Sequence, residues 1–229
     1  TEAQVESTFT NFMENKGPFD ANEIIIIDIE SPVHPKEFNH NLDEPETLEA
    51  IVAAFKMRID VVKSMAPGHP VSLYGVVVPQ GKGYEESWAE TWQGYQAAGA
   101  LGLYDDLDYI SPVLYHRWGD TDGDREQWTH DSFHQALTKS ALLTRTDGVS
   151  IPLFPLLSLS VFNGGSVHHH DAPLAEHVDQ AVSIVLEYQE VALFGFWTGD
   201  DDSAPVGDIP TFFESVSMVP VPDCTCPAD

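Results

Sequence analysis

The sequence predicts an α/β fold of the (β/α)8, TIM-barrel type, incomplete at its N-terminal side, with about five βα units visible. Three observations carry this. Short, nearly continuous apolar runs of strand length alternate with stretches whose apolar residues recur at helical spacing, the signature of a parallel sheet covered on both faces. No GxGxxG or phosphate loop follows any run, which argues against the open nucleotide-binding sheets. Carboxylates, aromatics and histidines follow the runs instead, as at the C-terminal face of a barrel.

The elements read in order as follows. "TEAQVESTFTNFMENK" is a helix within a leading segment, 1–20. "EIIIIDIE" (23–30) is the first strand, and "EPETLEAIVAAFKMRIDVVKSM" (44–65) a helix with Leu48, Ile51, Val52, Phe55, Ile59 and Val62 at helical spacing. The strand "PVSLYGVVVP" (70–79) precedes a helix over 86–101. Strands follow at 108–118, 151–162 and 191–199, separated by helices around 124–143 and 174–188. The last of these helices places Leu174, Val178, Ala181, Val182, Val185 and Leu186 on one face. Residues 205–229 read as an irregular C-terminal tail, and no linker or repeat divides the chain, so 1–229 is expected to be one domain. A whole barrel takes eight strands and about 250 residues, so the earliest strands are expected to be absent.

Composition narrows the function. With 37 acidic against 10 basic residues, a net charge of −27, the chain repels nucleic acid and anionic lipid, whose binding depends on Lys and Arg. The acidity fits either a salty environment or a cationic substrate. No apolar run reaches 18 residues and TEAQVEST lacks signal-peptide features, so a soluble or already processed chain without a membrane span is expected. Cys224 and Cys226, in "PDCTCPAD", are too close for an easy mutual disulfide and have no zinc-binding spacing. They pair with a segment beyond this sequence or stay as free thiols.

The most informative stretch is Asp28-Ile29-Glu30. In a strand, residues i and i+2 share a face, so both carboxylates project together at the strand end while Ile29 packs behind. Two acids held close cannot both ionise freely, which keeps one protonated as a general acid requires. Tyr74, Tyr115, Trp118 and Trp197 lie at or near other strand ends, where aromatic rings stack on the C–H faces of pyranoses. In "NGGSVHHHDAP" (163–173), one of His168, His169 and His170 is expected to hydrogen-bond a sugar. The alternative is a metal site with Asp171 and the Asp28–Glu30 pair, although adjacent residues rarely ligate one ion. "GDDD" (199–202) has the composition of a calcium loop or of a solvated one.

A strand ending in D-x-E, then "SLYGVVVP", "DYISPVLYHRW" and a last strand ending in Trp, resembles strands four to eight of glycoside hydrolase barrels of the chitinase and hyaluronidase type. The resemblance implies that Glu30 is the acid/base, that Asp28 orients a substrate 2-acetamido group, that Tyr115 assists and that Trp197 floors the sugar subsite. Glu23 and Ile26 stand where the longer chitinase motif has Asp, as does His116, so the resemblance is nearer the hyaluronidase type. It implies a carbohydrate substrate, a secreted or periplasmic setting and no cofactor or metal. Tyr74, His116, Trp118, His168 and Asp200 are the further substrate-binding candidates. Asp120 and Asp200 are candidate second carboxylates should the substrate lack a 2-acetamido group. A non-catalytic carbohydrate-binding protein and a metal-dependent hydrolase built on His168–His170 are the alternatives. Sequence leaves the oligomeric state open.

Overall fold

A computed structural model describes residues 1–20, 23–29, 34–35, 37–77, 85–117, 122–162, 170–171, 175–197 and 212–217. The elements run α1 (Glu2–Lys16), β1 (Glu23–Asp28), α2 (Glu37–His40), α3 (Pro45–Met65), β2 (Val71–Tyr74), α4 (Glu85–Ala100), β3 (Tyr109–Ser111), β4 (Val113–Arg117), α5 (Asp122–Ala141), β5 (Leu156–Phe162), β6 (His170–Asp171), α6 (Ala175–Leu186), β7 (Gly195–Trp197) and β8 (Phe212–Ser217).

The five expected strands are present and parallel. β1 pairs with β2 and β2 with β3, while β4 pairs with β5 and β5 with β7. β3 and β4 are two halves of one extended run, interrupted at Pro112, which has no N–H to give to a ladder. Bridges from Ile110 to Leu153 and from Leu153 to Val191 continue the sheet across the interruption. The strands therefore lie side by side in chain order.

Both faces of β1 are buried, which accounts for its four isoleucines. Ile25, Ile27 and Ile29 join the layer beneath the helices with Phe9, Phe38 and Phe55. Ile24 and Ile26 point the other way and pack with Phe154, Leu156, Tyr74, Tyr109 and Leu193. Phe154 and Leu156 belong to a strand three places from β1, and Leu193 leads into one four places away. Contact across that span requires the sheet to curl around its inner face. Each isoleucine so buried is worth about 1.5–3 kcal/mol.

Several boundaries differ from the sequence reading. β2 ends at Tyr74 rather than at 79, because Gly75 and then Val77 take positive φ values of 76° and 64° and leave the pleat. The run 151–162 is regular only from Leu156, since Pro152 and Pro155 interrupt its donors. The run 191–199 is a strand over Gly195–Trp197. On α6, Leu186 is 57% exposed, and Ile184 instead joins Ala181 and Val185 in the core. Within the stretch read as an irregular tail, β8 pairs antiparallel with β1 from Glu23↔Ser217 to Asp28↔Phe212. It occupies the edge of β1 where a barrel would place a parallel neighbour. Among the described residues no ladder joins β8 to β7.

Candidate functional site

Asp28 is the last residue of β1 and half-buried. Alternation puts it on the inner face with Ile24 and Ile26, while Ile29 is 0% exposed in the outer layer. The strand geometry expected for Asp28-Ile29 is thus present, and Glu30 lies outside the described residues. Tyr74 ends β2 on the same face, packed against the inner cluster. The register pairs Ile26 with Ser72 and Ile27 with Leu73; one pair further on, it sets Tyr74 beside Asp28. Beneath them, the hydroxyls of Ser72 and Ser111, both buried, share a 2.6 Å hydrogen bond across β2 and β3. An acid and a phenol ring therefore end two adjacent parallel strands on the same face.

For the other candidates the position is set by the backbone alone. Tyr115 and His116 lie within β4, where the register slips between Leu114 and His116. Trp197 ends β7 opposite Ser158. His170 and Asp171 form β6, opposite Phe162 and Val161. Trp118, Asp120, His168, His169, Asp200 and the rest of the 199–202 loop lie outside the described residues, as do Cys224 and Cys226. Among the described residues no group of three or more His, Cys, Asp or Glu side chains is arranged to hold a metal.

Two features at this end of the sheet escaped sequence reasoning. Val77, buried just past Tyr74, is a β-branched residue with φ of 64°, a conformation costing about 1–3 kcal/mol. Nothing in the sequence signals it. Gly94 of α4 touches α2, the short helix after β1. A Cβ there would lie 2.6 Å from both Asn39 N and Phe38 C, and the Gly94 N–H donates to Asn39 Oδ1 at 2.9 Å. A glycine inside a helical pattern was the available signal.

The opposite end of the sheet is built differently. Asp108 Oδ2 accepts from Val71 N at 2.9 Å and meets Lys63 Nζ at 3.2 Å. Lys56 donates to Gly102 O, Arg145 to Leu107 O, and Thr146 donates through both N and Oγ1 to Asp105. Those bonds from Thr146, the backbone one foremost, hold the Asp105 carboxyl below its ordinary value. A cavity of about 450 Å³ opens there between the ends of α4 and α5, lined by Tyr104, Leu143, Arg145 and Thr146. It lies at the far end of the strands from Asp28.

No protein-family model and no curated protein matches the chain. Two solved structures of bee venom hyaluronidase do. The monoclinic crystal structure superposes with a TM-score of 0.56 at 17% identity, over 86% of this chain and 70% of that one. A structure of that protein in complex with a hyaluronic acid tetramer gives the same TM-score and identity, over 86% and 67%. The likeness is one of fold.

Proposed function

We propose that this chain is a glycoside hydrolase acting on a polysaccharide or oligosaccharide. The observation that carries the reading is the placement of Asp28 beside Tyr74 at the C-terminal ends of adjacent parallel strands, on the inner face of a curled sheet. The fold shared with a hyaluronidase whose complex holds a hyaluronic acid tetramer supports it. In this reading the protein works outside the cytoplasm.

Glu30, two residues beyond Asp28 in the D-x-E stretch, protonates the leaving glycosidic oxygen as the C–O bond breaks. Asp28 orients the 2-acetamido group, whose carbonyl oxygen attacks the anomeric carbon from the opposite face. Water then opens the cyclic intermediate with Glu30 as base, so the anomeric configuration is retained. Tyr115 steadies the acetamido group, while Trp197, Tyr74 and Trp118 stack on sugar rings. His116, His168 and Asp200 contact hydroxyls.

The test is Glu30→Gln, which keeps the size of the side chain and removes its transferable proton. Turnover of an acetamido-glycan should fall by about 10²–10⁴-fold or more with the circular dichroism spectrum unchanged. Hydrolysis near wild-type levels would sink the assignment.

One observation favours a second reading, a carbohydrate-binding protein without catalysis. The edge of β1 is paired with the antiparallel β8 rather than with a parallel strand, so the site is bounded differently from that of a closed barrel. Retention on a glycan array with no product after prolonged incubation would decide for it.

A further inference from the structure

The cavity at the far rim of the strands enters neither reading of the function. It holds about 450 Å³ between the end of α4 and the loop after α5, room for a small organic molecule. Tyr104 and Leu143, both buried, back it, and Leu142, 63% exposed, lines it from the solvent side. Its lining reverses the charge balance of the chain. Where the sequence has 37 acids to 10 basic residues, the lining contains Arg145 and, among the described residues, no carboxylate.

Arg145 is half-buried, and most of its donors are unspent. One of the five guanidinium N–H groups goes to Leu107 O at 2.8 Å; among the described residues the side chain has no second acceptor and no ion pair. Asp105 acts on it only at longer range. Its two oxygens instead accept from the N–H and the hydroxyl of Thr146, at 2.8 and 2.9 Å.

The loop that carries Arg145 is already fixed. Thr144 bridges to Ser150, and the Arg145 N–H donates to Val149 O at 2.9 Å. Gly148 turns the chain at a φ of 82° and donates to Arg145 O at 2.9 Å, while Asp147 Oδ1 accepts from Val149 N. Behind the cavity, the Tyr104 hydroxyl donates to Tyr95 O at 2.9 Å. A ligand entering here orders little that is not ordered already.

We propose that this cavity binds a small amphiphilic carboxylate, its head on the guanidinium of Arg145 and its apolar body against Leu142 and Leu143. A guanidinium takes a carboxylate through two parallel N–H bonds. The field of a chain of net charge −27 turns polyanions away, so a single carboxylate is the head that fits.

The experiment is calorimetric titration of the full chain with hexanoate and with its neutral amide, hexanamide, alongside NMR mapping of backbone amide shifts. Wild type should bind the acid and shift the amides of 142–148. The amide, of the same shape, should bind about 10–100-fold more weakly, the worth of one charged hydrogen-bonded contact. Arg145→Gln should abolish that preference. Since Arg145 also tethers Leu107, Leu142→Glu is the second variant. At an exposed position it leaves the core untouched, adds a carboxylate to the lining and should weaken the acid more than the amide. Equal affinity of wild type for acid and amide would overturn the proposal, as would no binding of the acid, or shifts confined to Tyr74 and Gly75 at the opposite rim. So would a folded Arg145→Gln, or Leu142→Glu, that keeps the wild-type preference.

Discussion

At the N-terminal ends of the strands, polar side chains are bonded to nearby backbone: Asp108 to Val71 N–H, Lys56 to Gly102 O, Arg145 to Leu107 O. At the C-terminal ends, Asp28 and Tyr74 stand on the inner face of the sheet, and Val77 holds a strained backbone beside them. The first set tethers loops to the sheet. The second puts an acid and a ring on one face. In the proposed reading the same parallel sheet separates stability from chemistry by direction, which a (β/α) arrangement permits because its two rims are built from different loops.

The largest expected effect on this contrast comes from Asp28→Asn. It removes the charge beside the proposed acid while keeping the shape, so turnover should fall by about 10²-fold or more with little change in melting temperature. If Asp28 and Glu30 interact as the proposed D-x-E reading holds, the falling limb of the pH–rate profile moves to more acidic pH in the variant. A limb that stays in place would show that the two carboxylates do not communicate.

Next comes the support beneath that rim. Gly94→Ala forces α4 away from Phe38 and Asn39 and should cost about 1–3 kcal/mol in urea unfolding, with turnover also reduced. Equal stability in wild type and variant would mean that α2 is not seated on α4 as described.

At the other rim, Asp108→Ala leaves the Val71 N–H without its acceptor and should cost about 1–2 kcal/mol while kcat stays unchanged. The Lys63 contact adds little, since both side chains are about 40% exposed. A drop in kcat without loss of stability would erase the distinction between the two rims.

The smallest effect is expected at Asp105. Its folded pKa is lowered, chiefly by the backbone N–H of Thr146, from the ordinary 3.8. The stability it contributes is therefore present above that value and is lost as pH falls through the lower folded one. Asp105→Asn should lower stability slightly at neutral pH, with the difference from wild type vanishing as pH falls below 3.8, as followed by melts across pH.

The sequence by itself determined the order and type of the main elements. Four consecutive isoleucines require a strand buried on both faces, the spacing of Leu48, Val52, Phe55 and Ile59 requires a helix with one buried stripe, and i, i+2 alternation puts Ile29 behind Asp28. These are local consequences of backbone period and side-chain polarity. Tertiary structure alone decided where the strands stop and what covers their edges. Backbone dihedrals at Gly75 and Val77 end β2 early, and no apolar period records a single positive φ. The pairing of β8 with β1 joins residues 184 to 194 positions apart. The contact of Ile24 and Ile26 with Phe154 and Leu156 depends on the curl of a sheet whose twist accumulates strand by strand. His134 of α5 meets the hydroxyl of Tyr188, 54 positions away in the turn after α6, at 2.8 Å. Sequence names a side chain's chemistry, but the fold chooses its partners.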